Sequence, residues 1–461
     1  MGQTIIEGPW IEQKHDLEKP RKKEMWAYGV GSFGIFSVNT LISSFLTFYY
    51  TDVVGIAGAI VGTLMLIARL FDGITDIGMG SIVDMTRSKH GKARPWLLWM
   101  SVPLGVSIVL LFSVPDLDHT GKIIYAYITY ILFILLYTAA SIPYKTLLGV
   151  MTQHQHSRSL SNIYSTIFTM IGTLIVMTFT QPLTASIGWT GLAGFYGLLS
   201  IIALYITFRF VKERVESSTS QQDKISFSAG FKAILRNKYW IIITLFCVTF
   251  YTTICLVQGA GLYYAQWVIG DINKFPIIGL TLTAPMILGL FFIGPLVARF
   301  GKRNVAIIGS LVAIVGQIIK WADPSNLPVF LVGTALAGLG VMPTLGLLLA
   351  MVNDTVEYGE YKTGLRTEGL VNSAASFGMK FGTGLGLAVV GWLLGIGGYV
   401  GGAAEQPALA IEMIKAVNIQ IPLALAVIQI ILMLFFRIDK EYPAILAELQ
   451  RRKMNNSKEP E

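Results

Sequence analysis

The stretch Ala68–Asp76 reads ARLFDGITD and lies inside an apolar run, Ile60–Val83, that is long enough to cross a membrane. A charged side chain in a bilayer costs roughly 2.5–3.5 kcal/mol on insertion scales, so such residues usually face the protein interior and have a function. In a helix, Arg69, Asp72 and Asp76 occupy positions i, i+3 and i+7 and share one face. This face could hold a small cation or a proton.

A simpler alternative is that Arg69 and Asp72 only neutralise each other as a structural ion pair. That pairing provides no counter-charge for Asp76, whereas Lys380, far along the chain, offers one. Lys380 lies near the middle of another apolar segment, so we expect its ammonium to compensate the carboxylates while the cation site is empty. The other interpretation of Lys380, a side chain extended to the membrane interface, fits this central position poorly.

The composition is that of a polytopic membrane protein. Of 461 residues, 53% are hydrophobic and 13% are charged, whereas soluble proteins average about 25% charged residues. The net charge of +8 is spread over short loops and both ends of the chain, which argues against a nucleic-acid partner. Residues 1–25 are polar and contain no apolar core, so we expect no cleavable signal peptide. Cys247 and Cys255 share one apolar segment and are expected to be buried free thiols.

Hydropathy, together with Pro, Gly and charge punctuation, predicts an all-α protein with twelve transmembrane helices. The predicted spans are 27–50, 57–83, 96–114, 122–148, 160–182, 190–211, 239–267, 276–298, 303–321, 328–352, 370–396 and 416–436. A polar linker, 212–238, separates six-helix halves at 27–211 and 239–437, and residues 1–26 and 438–461 form the polar ends. Lys and Arg are concentrated in the loops on the side that holds both ends, which predicts that both termini are cytoplasmic.

The two predicted halves contain similar short basic turns at corresponding places, Gly80–Arg94 after the second span and Gly294–Arg303 after the eighth. Transporters that work by alternating access are built from such repeats, with the substrate near the bilayer midplane. The chain has no Gly-x4-Gly-Lys-Ser/Thr pattern, so a pump driven by ATP hydrolysis is not expected. A channel would need neither the repeat nor the intramembrane Asp and Lys residues. We therefore expect a transporter of the cell (plasma or inner) membrane and not an enzyme.

Five segments carry a resemblance to a known family. They are Phe48–Gly55 (FYYTDVVG), Ala68–Asp76, Asp84–Trp96 (DMTRSKHGKARPW), Tyr137–Tyr144 (YTAASIPY) and Asp354–Lys362 (DTVEYGEYK). Together they resemble the glycoside–pentoside–hexuronide:cation symporter family (melibiose permease-like), which has the major facilitator fold. The matching segments run from the first predicted span to the region before the eleventh.

The resemblance implies a cation site. The matching positions are Asp72, Thr75, Asp76, Thr138 and Lys380. Carboxylate and hydroxyl oxygens are ligands that suit Na⁺, so a metal ion is expected only as Na⁺ at Asp72 and Asp76. The family's best-known member has Asn where this chain has Thr75, and a hydroxyl is a shorter and weaker ligand than an amide oxygen. Because burial favours a protonated carboxylate, H⁺ is favoured over Na⁺ as the coupling ion, and no other cofactor is expected.

Substrate recognition departs further from the family's pattern. The family's first-helix Lys–Asp pair is replaced here by Ile35–Phe36, and an acidic position in the fourth helix is replaced by Ser141. With fewer acids and an extra base at Lys145, the sequence favours a substrate with a carboxylate, such as a uronide, or a differently placed neutral glycoside or pentoside. Lys145 could equally extend to the cytoplasmic interface. The candidate substrate residues are Asn39, Arg69, Tyr137, Ser141, Lys145 and Ser376.

Charged residues after the fourth and tenth spans form a candidate gate. Arg158 lies in the first half, and Asp354, Glu357 and Arg366 lie in the second. Opposite charges on the two halves could form ion pairs that close the inner mouth. Alternatively, these charges only solvate the loops and set the topology.

The sequence therefore predicts a secondary symporter that couples uptake of a sugar, glycoside or uronide to a cation. Two alternatives are a transporter of the same fold for a lysophospholipid or other amphiphile, and a sugar sensor that does not transport. The expected partners are a small-molecule sugar and the lipid bilayer. A monomer is compatible with the sequence, which does not determine the oligomeric state.

Overall fold

A computed structural model describes residues 20–152, 154–214, 232–365 and 368–456, and these ranges contain helices and no strand. The helices are α1 Lys22–Leu41, α2 Gly58–Met85, α3 Arg94–Leu111, α4 His119–Met151, α5 Gln155–Phe210, α6 Lys238–Trp267, α7 Phe275–Leu290, α8 Ile293–Phe300, α9 Lys302–Ala322, α10 Leu327–Thr363, α11 Glu368–Ile396, α12 Ala408–Lys415, α13 Ile421–Phe435 and α14 Ile438–Asn456. Short π-helical segments occupy Ile42–Leu46, Tyr49–Val53 and Ala416–Gln420, and a 3₁₀ turn occupies Ile272–Lys274.

In the described ranges, 11 helices are long and apolar enough to cross a membrane. Two predicted spans, 160–182 and 190–211, fall in the single element α5. This element is interrupted at Gly188, whose φ of 69° and ψ of 175° are not helical. Each of the twelve predicted spans therefore overlaps a helix, and the all-α membrane fold is confirmed.

Polar side chains define where several helices begin. The Asp118 carboxylate accepts a hydrogen bond from the backbone N–H of Gly121 at the start of α4. Asn237 and Asn326 cap α6 and α10 in the same way, each accepting from the backbone N–H three residues on. Such caps satisfy N–H groups that have no partner within the helix. At the other end of α10, Gly364 has a φ of 71°, a left-handed conformation that glycine adopts without strain.

Backbone contacts divide the chain into two compact units, the first of residues 1–42 and 74–220 and the second of residues 43–73 and 221–461. This division differs from the predicted halves because residues 43–73 group with the second unit. Within the first unit, α1 and α3 pack on α5. A Cβ at Gly34 of α1 would lie 2.7 Å from the Cβ of Ala203, so glycine at this position allows α1 and α5 to approach closely.

In the second unit, α9 packs on α10 and α11 packs on α6. Its core contains large buried aromatic residues of α6, including Tyr239, Phe246 and Phe250. Cys247 and Cys255 are buried in the same helix as free thiols, as predicted.

The segment 438–461, expected as a polar tail, contains the helix α14. Ile438, Ile445 and Leu449 are buried and belong to the core of the second unit. Their spacing of seven and four residues places them on one helical face. The tail therefore has an apolar face that its overall polarity conceals.

Candidate cation-binding site

The first half of α2 and the middle of α11 lie in close contact within the second unit, and glycine makes this possible. A Cβ at Gly62 of α2 would lie 2.6 Å from the carbonyl oxygen of Ala388. A Cβ at Gly384 of α11 would lie 2.7 Å from the Cβ of Arg69. Small residues allow transmembrane helices to approach at backbone distance. At this contact, charged side chains of the two helices meet.

Asp72 is the centre of the charged cluster. Lys380 Nζ lies 3.0 Å from Asp72 Oδ2 and also donates a hydrogen bond to the Asp72 carbonyl oxygen at 3.1 Å. Arg69 Nη1 lies 3.7 Å from the same carboxylate oxygen. The side chains of Asp72 and Arg69 are 2% and 5% exposed, and that of Lys380 is 20% exposed. The structure thus joins residues 308 positions apart in sequence. The sequence offered Lys380 as the counter-charge of Asp76, whereas this contact is with Asp72, and the role of Lys380 in a cation site stays a prediction.

The cluster explains how the protein can hold a carboxylate at this depth. A buried carboxylate is costly unless it is paired and hydrogen-bonded. Asp72 has a guanidinium on its own helix and an ammonium from α11, and the ammonium makes the shorter contact. The structural ion pair of Arg69 and Asp72 is therefore present, but it is not the whole of the cluster. An ammonium at 3.0 Å occupies a position where a small cation would otherwise neutralise Asp72.

The other predicted cation-site residues belong to the first unit. Thr75 and Asp76 follow Asp72 on α2 and are half-buried. Thr138 lies on α4 and is 2% exposed. Each side chain is thus placed within a helix that crosses the membrane, and a role in cation binding stays a prediction.

The predicted substrate residues differ in their exposure. Arg69, Tyr137 and Ser141 are buried, Asn39 is half-buried, and Lys145 and Ser376 are exposed. Only Arg69 lies in the Asp72 cluster described above, where its contact is with Asp72. This gives Arg69 a second role, in the charge balance of Asp72, beside the predicted one in substrate binding.

The gate prediction placed Asp354 opposite Arg158. In the second unit, Lys302 Nζ donates to both carboxylate oxygens of Asp354 at 2.6 and 2.8 Å, and the pairing of Asp354 with Arg158 stays a prediction. Arg158 is exposed and Glu357 is half-buried, while Arg366 lies outside the described residues. The sequence analysis counted Lys302 only as a topology charge. Its position beside Gly301, in the basic turn that repeats between the halves, was the available signal.

The basic segment Asp84–Trp96 is held in place by Glu213, which the sequence analysis did not single out. The Glu213 carboxylate accepts hydrogen bonds from the backbone N–H groups of Lys92, Ala93 and Arg94 at 2.8–2.9 Å, at the start of α3. A negative charge at a helix N-terminus is favourable because the exposed N–H groups carry partial positive charge. The segment Asp84–Trp96 is therefore anchored by Glu213, which lies about 120 residues later in the chain, at the beginning of the predicted linker 212–238.

A second polar cluster surrounds Asp52, which follows the first predicted span, 27–50. Tyr399 donates a hydrogen bond to Asp52 Oδ1 at 2.6 Å, and Thr51 donates to Asp52 Oδ2 at 2.7 Å. Trp267 Nε1 donates to the Tyr399 hydroxyl at 2.9 Å. Burial raises the pKa of the Asp52 carboxyl, although the hydrogen bonds from Tyr399 and Thr51 oppose this shift. Asp52 lies in the motif Phe48–Gly55, to which the sequence analysis gave no role.

Comparisons with known proteins identify the family and the fold of the chain. The sequence model of a family described as MFS/sugar transport protein matches residues 27–440. The isoprimeverose transporter of Lactiplantibacillus pentosus is 34% identical over 441 residues, which cover 93% of this chain and 91% of the relative. A putative glycoside/cation symporter of Escherichia coli (strain K12) is 31% identical over 443 residues, covering 93% of this chain and 94% of the relative. A solved structure of a bacterial homolog of the human lysosomal transporter Spinster matches with a TM-score of 0.69 at 15% identity, over 92% of this chain and 97% of that chain.

The structural match shows the fold, and the sequence matches show the family. The matched proteins are membrane transporters and not enzymes, and with the apolar helices they place this chain in the cell membrane as a multi-pass protein. At the level of the family, the activity is sugar transport with cation coupling. The chain belongs to the MFS/sugar transport protein family, within the glycoside–pentoside–hexuronide:cation symporters of the major facilitator superfamily.

Proposed function

We propose that this protein is a secondary active symporter that couples uptake of a sugar, glycoside or uronide to the inward movement of a cation by alternating access. The observation that carries the proposal is the contact of Lys380 with Asp72 at 3.0 Å. A transporter of neutral substrate that did not couple to a cation would have no use for a buried carboxylate and two cationic partners at this depth. Both termini are cytoplasmic in this proposal.

Lys380 acts as an internal substitute for the coupling ion. While the site is empty, its ammonium neutralises Asp72. When a cation enters, the ammonium moves away from the carboxylate, and its new position favours binding of the sugar. The cation site of this proposal consists of Asp72, Thr75, Asp76, Thr138 and Lys380. Binding of the cation and of the sugar are thereby linked, and by reciprocity each raises the affinity for the other.

H⁺ is the proposed coupling ion. Thr75 offers only a hydroxyl where a Na⁺ site would gain from an amide oxygen. A proton needs a single carboxylate, and Asp72 already has side chains around it that can respond to a change in its charge. Na⁺ is the alternative, with Asp72 and Asp76 as its carboxylate ligands.

The proposed substrate carries a carboxylate or several hydroxyls. Arg69, which is buried, and Lys145, which is exposed, supply cationic groups on α2 and α4. Arg and Lys donate charge-assisted hydrogen bonds to carboxylates, which favours a uronide among family substrates. The isoprimeverose transporter, by its name, carries a sugar. A neutral glycoside or pentoside therefore stays the second candidate.

The experiment is uptake of labelled sugars into proteoliposomes that contain the purified protein. An inward H⁺ gradient without Na⁺ should drive accumulation of at least one uronide or glycoside above the external concentration. Accumulation driven by a Na⁺ gradient at equal pH on both sides would overturn the H⁺ assignment but keep symport. Substrate binding without any uptake would favour a sensor, and competition by lysophospholipids but not by sugars would favour an amphiphile transporter.

A further inference from the structure

A cavity of about 60 Å³ lies inside the second unit, apart from the Asp72 cluster. Side chains of α6, α7, α9, α10 and α13 line it. Most of its wall is apolar, with residues such as Phe250, Met286 and Ala426. A volume of about 10–15 Å³ accessible to a water-sized probe suffices for one water molecule, so the cavity has room for a small hydrated ion or a molecule of a few atoms.

One end of the cavity is cationic. Lys320 of α9 lines it and is 1% exposed. Its Nζ donates to the carbonyl oxygen of Asn418 at 3.1 Å and lies 5.2 Å from the centre of the Phe330 ring. Within the parts of the chain that the structure describes, no carboxylate forms an ion pair with Lys320. The carbonyl dipole of Asn418 and the Phe330 ring stabilise the ammonium, but they do not neutralise its charge.

A glycine in α10 leaves space for the stem of Lys320 where α9 packs against α10. A Cβ at Gly333 would lie 2.6 Å from Lys320 Cγ, so the stem of the lysine occupies space that a larger residue would take. Asn418 belongs to a π-helical segment, and Lys320 donates to its backbone carbonyl. Such segments leave the regular helical hydrogen-bond pattern and are frequent at functional sites.

Two further polar atoms on the cavity wall are buried without a hydrogen-bond partner. They are Gln317 Oε1, one turn before Lys320 on α9, and the hydroxyl of Thr334 on α10. Gln317 is 3% and Thr334 is 2% exposed. An unpaired buried polar group costs about 1–3 kcal/mol, so both are expected to meet a ligand or its water. The Thr334 hydroxyl and the Gln317 amide can donate to an anion, and the amide oxygen can accept from a water that accompanies it.

We propose that this cavity binds a small monovalent anion, of the size of chloride or formate, as the counter-ion of Lys320. The ammonium supplies the charge, the Thr334 hydroxyl donates a hydrogen bond, and Gln317 Oε1 accepts a hydrogen bond from a water that accompanies the anion. The apolar remainder of the wall excludes larger hydrated ions. The anion stabilises the packing of α9, α10 and α13 around the lysine. This site is independent of the proposed sugar symport, because none of its residues belongs to the Asp72 cluster.

The test is thermal unfolding of the purified full-length protein in sodium chloride, sodium formate or sodium gluconate at one ionic strength and pH. Chloride or formate should raise the unfolding temperature in a saturable way, whereas gluconate is too large for the cavity and should not. In Lys320→Met, the midpoint anion concentration should rise at least tenfold. The control Lys274→Met, at an exposed lysine, should behave as the wild type.

Two further measurements keep the outcome decisive if Lys320→Met does not fold. Thr334→Val preserves the shape of the side chain and removes the hydroxyl, and it should weaken anion binding several-fold. Broadening of the ³⁵Cl⁻ resonance by the wild-type protein, reversed by formate, should report the same site. Equal stabilisation by chloride and gluconate, or chloride binding unchanged in Thr334→Val and Lys320→Met, would overturn the proposal.

Discussion

Replacing Lys380 with methionine should abolish cation-driven sugar accumulation while leaving sugar exchange intact. Methionine keeps much of the length and apolar character of the lysine stem and removes its charge. Without the ammonium, Asp72 loses this short contact and keeps the longer one with Arg69, at 3.7 Å. The carboxylate should then hold a proton or cation almost permanently. A carrier whose site never empties can exchange sugar for sugar, but it cannot return empty to take up more.

The expected size of the effect follows from the distances. With an effective dielectric constant of about 20, a pair of charges at 3.0 Å attracts by about 5–6 kcal/mol and a pair at 3.7 Å by about 4–5 kcal/mol. Of these two attractions, that of Lys380 is the stronger. Breaking a buried pair costs about 3–5 kcal/mol, and the 20% exposure of Lys380 favours the lower figure. About 3 kcal/mol corresponds to a roughly hundredfold higher affinity of the site for the cation.

The assay compares accumulation with counterflow in the same proteoliposomes. In Lys380→Met the accumulation ratio should fall to about one, while counterflow of labelled sugar stays within a few-fold of the wild type. The matched control is Lys415→Met, because Lys415 is also half-buried and also forms an ion pair, at 2.8 Å, but with Glu412, a carboxylate that is 56% exposed. This control should accumulate sugar normally. Full accumulation by Lys380→Met would refute the role of the ammonium as a substitute for the coupling ion.

Two other predictions concern groups outside the cation site. Glu213→Ala removes the acceptor of three backbone N–H groups at the start of α3, so it should lower the unfolding temperature by several degrees. Glu213→Gln keeps one acceptor oxygen, so its unfolding temperature should lie between those of the wild type and Glu213→Ala. An unchanged unfolding temperature in both variants would contradict the role of Glu213 as a cap of α3. Burial raises the pKa of Asp52 above its ordinary value of 3.8, so the native state binds this proton more tightly than the unfolded chain does. Its contribution to stability is therefore fully present below that ordinary value and is lost as the pH rises through the raised pKa. The wild type should lose unfolding temperature over this range relative to Asp52→Asn, and parallel pH profiles for the two proteins would show that Asp52 does not titrate in this way.

The sequence was sufficient to predict the helices and to name Lys380 as a counter-charge for α2, although it offered Lys380 to Asp76 and the contact described above is with Asp72. A charge in an apolar span needs a partner, and Lys380 is a central cation in another span, so its contact with an α2 carboxylate could be expected without a structure. The pair of Arg69 and Asp72 also follows from spacing alone, because the two residues are three positions apart on α2. The close approach of α2 and α11 was harder to predict, since it is set by Gly62 and Gly384, whose importance is visible only once the helices are paired.

The contacts that sequence analysis missed have a common physical reason. Lys302 and Glu213 lie at the ends of helices, where a charged residue can be a solvated loop residue, a topology signal or a partner of a specific group. Spacing along one chain cannot separate these roles, because the partners Asp354 and the N-terminus of α3 are 52 and about 120 residues away. In the apolar spans the cost of a charge removes the first two alternatives, but the sequence analysis still passed over Lys320, which lies at the end of the predicted span 303–321.

The same argument distinguishes the half-buried Lys380 from the buried Lys320, both in the second unit. Lys380 lies 3.0 Å from a carboxylate, so its charge is neutralised by the protein and can be released when another cation takes its place. Lys320 is more deeply buried, at 1% exposure, and has a carbonyl, a ring and a cavity around it. Its charge can be neutralised only by a ligand from outside or by loss of its proton. The two proposals therefore assign an exchangeable ion to each site, a cation to Asp72 and an anion to Lys320. Substitution of one lysine should alter the cation dependence of transport, and substitution of the other the anion dependence of stability.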